Sequence, residues 1–241
     1  MNMTVQDFCT RSLTKIKKPK IAEAGATRFY FQTQETKAEK IMATAAVTGD
    51  IGAGKSTASK IFAEKLKCPL IDADKITADL WHNGNVKKIF SSRWGNEIFD
   101  TSGEIMKSEI SRRIFNDLNE YKFCNSVLHP LVMKELKILS ENAKKNSENL
   151  VLEIPLLFEA LAHEKQEKFF DFVIYVAADF ETRARRCFEQ RGWRHEELKR
   201  RESFLIPREE KISLSDFVIY NDGSLENLTS CCNEHLKNFV C

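Results

Sequence analysis

The sequence predicts an α/β domain in three layers, with helices on both faces of a parallel sheet of five strands. Three observations carry that prediction. Five short runs are almost continuously apolar, at 43–48, 68–74, 149–155, 171–177 and 216–221. Segments of helical spacing separate them, and a Gly-rich string joins the first run to the first helix. Strands buried on both faces read as unbroken apolar runs, and strands spaced by helices close as right-handed βαβ units.

Taken in order, residues 1–42 show no sustained period and form an N-terminal extension, expected to be poorly ordered; residues 1–40 hold eight Lys/Arg against four Asp/Glu. A start at Met42, directly before the first strand, is the alternative reading. "ATAAVT" (43–48) is that strand, and "KSTASKIFAEKL" (55–66) spaces Ile61, Phe62 and Leu66 as one helix face. "CPLIDAD" (68–74) is a strand ending in two aspartates, followed by mainly helical sequence to about residue 145 with a turn at "DTSGE" (100–104). Trp81, Trp94 and the phenylalanines of that region are expected to form core. His129-Pro130 is expected at a helix entry, as a structural pair. The remaining strands are "NLVLEIP", "DFVIYVA" and "DFVIYN", and no repeat relates them.

Composition narrows the function classes. Hydrophobic residues are 42% of the 241 and charged residues 30%, an ordinary globular balance. A net charge of +2 gives no ground for a general nucleic-acid or membrane binder. No apolar run approaches the roughly 20 residues that span a bilayer. Seven scattered cysteines, with Cys231 and Cys232 adjacent, suggest free thiols and a cytoplasmic setting. The five histidines are dispersed, so no metal–histidine site is expected.

The chemistry concentrates in "GDIGAGKST", where Gly49 to Ser56 fits G-x-x-x-x-G-K-[ST] at every fixed position. Such a loop gathers backbone N–H groups at a helix N-terminus, where anions are favoured. Lys55 is placed to reach β- and γ-phosphates, and Ser56 to hold Mg²⁺. No Asn-Lys-x-Asp guanine reader is present, and neither "VLEIP" nor "VIYVAADFE" supplies the Asp-Glu of motor-type ATPases. That leaves small-molecule kinases. Alternation along the second strand would put Asp72 and Asp74 on one side, beyond the carboxyl end of the sheet. One would activate an acceptor hydroxyl, the other hold Mg²⁺ through water. The bland alternative is that they cap the next helix, with Asp74 as the N-cap. Residues 183–201 hold eight Lys/Arg against three Glu, cations suited to a transferring phosphoryl group. Arg186 and Arg191 are the leading candidates, then Arg183 and Arg185.

"TGDIGAGKST", "IDADKI", "LHPLV" (128–132), "IPLLFE" (154–159), "ET" with an Arg-rich helix (181–191), "PREEK" (207–211) and "VIYNDGSLENL" (218–228) occur in this order. Together they resemble the dephospho-CoA kinases, over about residues 43 to 230. The resemblance implies a P-loop kinase fold with a helical substrate region (about 75–145), a lid (about 183–210) and a tail at 231–241. It implies transfer of the ATP γ-phosphate to the ribose 3′-hydroxyl of dephospho-CoA, with Asp74 as the base. Catalysis would then rest on Asp74, Lys55, Arg186 and Arg191. ATP would lie on Gly49, Gly52, Ala53, Gly54, Lys55, Ser56, Thr57 and Asn221, and Mg²⁺ on Ser56 and Asp72. Glu159 would help shape the acceptor pocket. Expected partners are these small molecules, not nucleic acid or membrane, for a monomer or weak oligomer. A nucleoside or nucleotide kinase, and a nucleotide-binding regulator with weakened catalysis, are the alternatives.

The chain departs from the family pattern at Asp50, where a small residue is usual. It departs also at Lys107, which keeps a charge at a usual arginine position, at Ser111, whose lost arginine Arg112 or Arg113 would cover, at Leu205, and by one extra residue between Arg186 and Arg191. Asp50 is expected to point away from the phosphates, toward the acceptor side, and to meet a lid arginine or Lys107 there.

Overall fold

The computed structural model describes residues 43–146, 148–163 and 168–236; the expected extension over residues 1–42 lies outside them. The five apolar runs form β1 (Thr44–Gly49), β2 (Leu70–Asp72), β3 (Leu150–Glu153), β4 (Phe172–Ala177) and β5 (Phe217–Tyr220). They make one sheet in the order β2-β3-β1-β4-β5, with every neighbouring pair parallel. β1 and β3 are buried along their whole length, as their lack of alternation predicts. Connections from β1 and β3 leave toward opposite edges, so the crevice for a ligand opens at their carboxyl ends. The register sets Glu153 level with both Val47 and Asp72.

One face of the sheet packs α1 (Lys55–Leu66) and α10 (Leu225–Leu236). Phe62 and Cys232 are fully buried there against Ala45, Val47, Val151 and Ile174. The boundary expected at residue 230 falls inside α10, and residues 231–236 belong to this layer. The opposite face of β1 meets the long helix α5 (Leu118–Lys145), whose Ser140 Oγ lies 3.3 Å from Thr44 Oγ1 and donates to Phe169 O. Pro130 sits inside α5, so His129-Pro130 is not at a helix entry; the surrounding turns of a long packed helix absorb the break.

Before α5 come α2 (Ala73–Leu80), α3 (Gly84–Trp94) and α4 (Lys107–Ile114). Their shared core is aromatic. Phe90 stacks on Trp94 with centroids 4.9 Å apart, Phe123 meets both edge-on, and Trp81 lies 5.2 Å from Phe90. The two tryptophans are core, as expected. The turn at 100–104 forms where Asp100 Oδ1 accepts from the Ser102 and Glu104 N–H groups.

After β3 comes α6 (Leu157–His163), and after β4 come α7 (Phe180–Arg191), α8 (His195–Glu202) and α9 (Arg208–Ser213). Contacts to α6 and to the residue that follows α4 help to fix the segment that carries α7 to α9. Lys211 Nζ meets Glu159 Oε1 at 2.6 Å with both side chains buried. The Arg201 guanidinium lies between the Trp193 ring, 3.9 Å from its centroid, and the Phe115 ring, at 4.1 Å.

Candidate active site

The loop from Gly49 to Gly54 crosses the carboxyl ends of β1 and β4 and opens α1. Gly49 is required by close approach: at φ 146°, a Cβ there would stand 2.0 Å from Val176 O. Gly54 caps α1 in the left-handed region and, having no side chain, offers no capping acceptor to the first helical N–H groups. Those donors and the helix dipole make an anion seat. It opens into a cavity of about 470 Å³ lined by Gly52, Gly54, Lys55, Ser56 and Thr57. Asp74, Glu153, Arg186, Arg191 and Asn221 line the same cavity.

Lys55 is half-buried by surface, but its ammonium end turns inward. Nζ donates to Asp50 O at 2.9 Å and Gly49 O at 3.3 Å. Desolvation lowers its pKa to about 8, against the raising fields of Glu153, Asp74 and Asp50. A cation held in so dry a place gains from an incoming polyphosphate.

Ser56 Oγ donates to Glu153 Oε1 at 2.6 Å. Burial raises the Glu153 carboxyl, which the Ser56 bond partly counters and the Asp72 charge reinforces. Asp74 stands in the first turn of α2 at the mouth of the cavity. Partial desolvation, then the Asp72 charge, raise its pKa, while Lys55 and Arg191 pull it down. Its residue surface is exposed, so water at the mouth screens these fields.

The chain matches the dephospho-CoA kinase family model over residues 43–227, which is most of its length. The chain belongs to the dephospho-CoA kinase family. It is 33% identical to the dephospho-CoA kinase of Fusobacterium nucleatum subsp. nucleatum over 182 residues, covering 76% of this chain and 91% of that one. A crystal structure of a Thermus thermophilus protein superposes with a TM-score of 0.63 at 30% identity, covering 82% of this chain and 97% of the other. The dephospho-CoA kinase of Campylobacter jejuni superposes at 0.58 with 26% identity, covering 82% and 96%. The P-loop kinase fold expected from the sequence is the fold found.

Within this family frame, the residues expected at the site divide. Lys55, Ser56, Thr57, Gly52, Gly54, Asp74, Arg186 and Arg191 all face the cavity. Gly49 and Ala53 shape the loop from behind. Asn221 is buried at the end of β5, and its Nδ2 donates to Ala53 O at 2.7 Å, so its amide braces the loop. Asp72 and Asp74 do not share a strand face. β2 stops at Asp72, α2 begins at Ala73, and Asp72 is the N-cap, accepting from Asp74 N at 2.9 Å. The cap is therefore Asp72 rather than Asp74, and a capping bond to backbone frees the Asp74 side chain for the cavity. The carboxylate at Ser56 is Glu153, which stands alone at the end of β3 rather than in an Asp-Glu pair. A single acidic residue closing an apolar strand next to the P-loop strand was the available signal.

Of the remaining arginines, Arg185 lies on the outer surface of α7 beside Phe188 and Trp193, and Arg183 is buried away from the cavity. Arg112 and Arg113 both pair with Glu109, so neither covers the position of Ser111. Arg201 of α8 does instead, with Nη2 donating to Ser111 Oγ at 3.2 Å. Glu159 is tied to Lys211 and accepts from Ile206 N at 3.1 Å, which makes it a brace between α6 and α9.

Proposed function

We propose that this protein transfers the γ-phosphate of ATP to the ribose 3′-hydroxyl of dephospho-CoA at this cavity. The observation that carries the reading is the Asp74 carboxylate facing the same cavity as Lys55, Ser56 and the open N-terminus of α1. A carboxylate therefore shares the cavity with a phosphate seat, which supports phosphorylation of a hydroxyl there.

In this reading the loop N–H groups and Lys55 hold the β- and γ-phosphates, and Asp74 accepts the proton of the 3′-hydroxyl. The bond from that oxygen to the γ-phosphorus forms as the bond to the β–γ bridging oxygen breaks, and ADP leaves. Arg186 and Arg191 face the charge that spreads over the transferring group. The segment from α7 to α9 serves as the lid, and the helices from α2 to α5 as the acceptor region. The hydroxyl of Ser56 and the carboxylate of Glu153 are hard oxygen donors beside the phosphate seat, a set that suits Mg²⁺. Mg²⁺ there would neutralise phosphate charge. Asp72, engaged as a cap, is left with a supporting role. A cytoplasmic setting is supported by the free thiols Cys68, Cys124, Cys187, Cys231 and Cys232 among the described residues. Among the described residues no helix is long and apolar enough to cross a membrane.

The deciding experiment follows ADP formation with purified protein, ATP, Mg²⁺ and dephospho-CoA. Acceptor-dependent ADP supports the reading; rates no higher than with ATP alone refute it. Preference for a nucleoside or nucleotide in competition would instead establish the other kinase class. In the same assay, Glu153→Gln should lower turnover about 10²-fold and raise the Mg²⁺ concentration needed for half-maximal rate, since one carboxylate of a small oxygen donor set is lost. Unchanged Mg²⁺ dependence would remove Glu153 from the metal site.

The pH profile adds an independent check. kcat/KM for ATP reports groups of the free enzyme. Lys55 titrates near 8 there and serves phosphate binding only when protonated. kcat/KM for ATP is therefore expected to fall as pH rises through about 8, while kcat, measured with phosphate already on the lysine, holds to higher pH. Superimposable alkaline limbs would count against Lys55 as the titrating group.

A further inference from the structure

We propose that Asp50 is a positioning residue for the phosphoryl transfer, anchoring both roots of the α7–α9 segment to the phosphate loop. The proposal rests on the kinase reading of the cavity above, and it concerns a residue that does not touch that cavity.

Asp50 is the second residue of the loop, and its side chain is only 5% exposed. Its carboxylate is fully engaged. Tyr175 OH donates to Oδ1 at 2.5 Å, and Ala178 N to Oδ2 at 3.4 Å. Arg208 Nε lies 3.4 Å from Oδ2 and Arg183 Nε 3.8 Å from it. The two guanidiniums converge again on one carbonyl: Arg183 Nε and Arg208 Nη1 donate to Ala178 O at 3.0 and 3.1 Å. Arg183 also reaches Ile51 O at 3.4 Å and pairs with Glu202. Lys107, the other partner expected for Asp50, is exposed at the start of α4.

The origins of these groups give the cluster its meaning. Arg183 comes from the first turn of α7, Glu202 from the end of α8 and Arg208 from the start of α9. One carboxylate on the loop thus holds the segment where it leaves the sheet and where it returns. Two carboxylates and two guanidiniums balance to zero, so removing Asp50 leaves cationic excess in a buried place. Apolar residues would fill such a site at lower desolvation cost. What charges add is direction: guanidinium and carboxylate bond only along fixed lines. The loop also offers no room to slide, because a Cβ on Gly52 would lie 2.8 Å from Cys187 Sγ and 2.9 Å from Arg183 O.

Arg183 and Arg186 are less than one helical turn apart on α7. The rotation of α7 about the Asp50 anchor therefore sets where Arg186 and Arg191 enter the cavity. Catalysis by oriented cations is sensitive to ångström displacements, which cost up to about 10²-fold in rate. Asp50 acts through these arginines and touches neither ATP nor acceptor.

The test combines kinetics with hydrogen exchange. Asp50→Asn keeps size and an acceptor for Tyr175 but removes the charge. At about pH 6.5, well below the Lys55 pKa of about 8, its kcat should fall about 10-fold with KM for ATP within about 2-fold of wild type, because Lys55 stays protonated there without the Asp50 field. Amides of 180–202 should exchange at least about 10-fold faster, while those of β1 and β3 keep their rates. Arg208→Leu should show the same pattern more weakly, and the double variant should lose less than the two single losses combined, because both changes cut the Asp50–Arg208 link. Wild-type kcat and exchange in Asp50→Asn would overturn the proposal. So would an equal loss of kcat, ATP affinity and core protection, which marks a folding defect. If Asp50→Asn does not fold, Arg208→Leu carries the test: a kcat loss at unchanged KM supports the anchor, and wild-type kcat refutes it. A wild type inactive on dephospho-CoA sinks the kinase reading alone; the exchange arm still decides whether Asp50 holds the segment.

Discussion

Asp74→Asn is expected to turn over about 10²–10³-fold more slowly than wild type, with KM for ATP changed by less than about 2-fold. The asparagine fills the same space at the cavity mouth but cannot take a proton. Phosphoryl transfer passes through a loose transition state, so the base contributes orientation and a late proton transfer rather than the whole acceleration. The fold should not suffer, because the bond that starts α2 runs from the backbone N–H of residue 74 to Asp72. Equal thermal midpoints for the two proteins would separate a lost base from a lost cap. Wild-type Asp74 has a raised pKa, and only its ionised form accepts the proton. Turnover should therefore fall as pH falls through a value above the ordinary aspartate range, and the asparagine variant should lack that limb. Unchanged turnover in Asp74→Asn would end its assignment as the base.

The second large effect is expected at Lys55. Lys55→Met should lower kcat/KM for ATP by about 10³-fold, the loss of a preorganised cation aimed at transferring charge in a water-poor site. Its thermal midpoint should stay within about 2 °C, less than roughly 1 kcal/mol produces in a chain of this size. Two effects oppose each other there. At neutral pH the folded site disfavours the ammonium, whose pKa of about 8 lies below its ordinary 10.5, so removing it relieves a desolvated charge. Against this, Gly49 O loses its bond from Nζ. A large drop in midpoint with little loss of ATP affinity would mean that Lys55 serves the loop rather than the phosphates.

The sheet and the phosphate loop were legible because each is written locally. Strands such as "VIYVA" are apolar throughout, and the loop string specifies its own turn and helix start. Contacts that depend on strand order were not legible. Glu153 meets Ser56 because β3 is inserted between β1 and β2; "VLEIP" shows an acidic residue closing an apolar strand but not which strand lies beside it. The shared strand face expected of Asp72 and Asp74 fails on one geometric detail. The strand ends where the helix begins, so two residues of spacing no longer mean one face. Asp50 was expected to meet an arginine and does. Its other partners lie at positions 175 and 208, beyond the reach of any spacing rule. His129-Pro130 read as a boundary because proline usually disfavours the preceding helical residue, yet the packed length of α5 overrides that preference.

The stacking of Arg201 between Trp193 and Phe115 gives the molecule a built-in optical reporter. Trp81 and Trp94 pack on Phe90, and Trp94 Nε1 donates to Glu120 Oε2 at 2.5 Å, so both belong to the α3–α5 core rather than to the segment that carries α7 to α9. Trp193 alone among the three tryptophans faces cations on α7 and α8, with Arg191 4.8 Å and Arg201 3.9 Å from its ring. Opening of α8 away from the Phe115 corner strips that ring from the Arg201 guanidinium and changes the field this cation casts on the Trp193 indole. Its emission wavelength and intensity should then shift while the other two remain silent, so opening of this segment can be followed in real time without an added label.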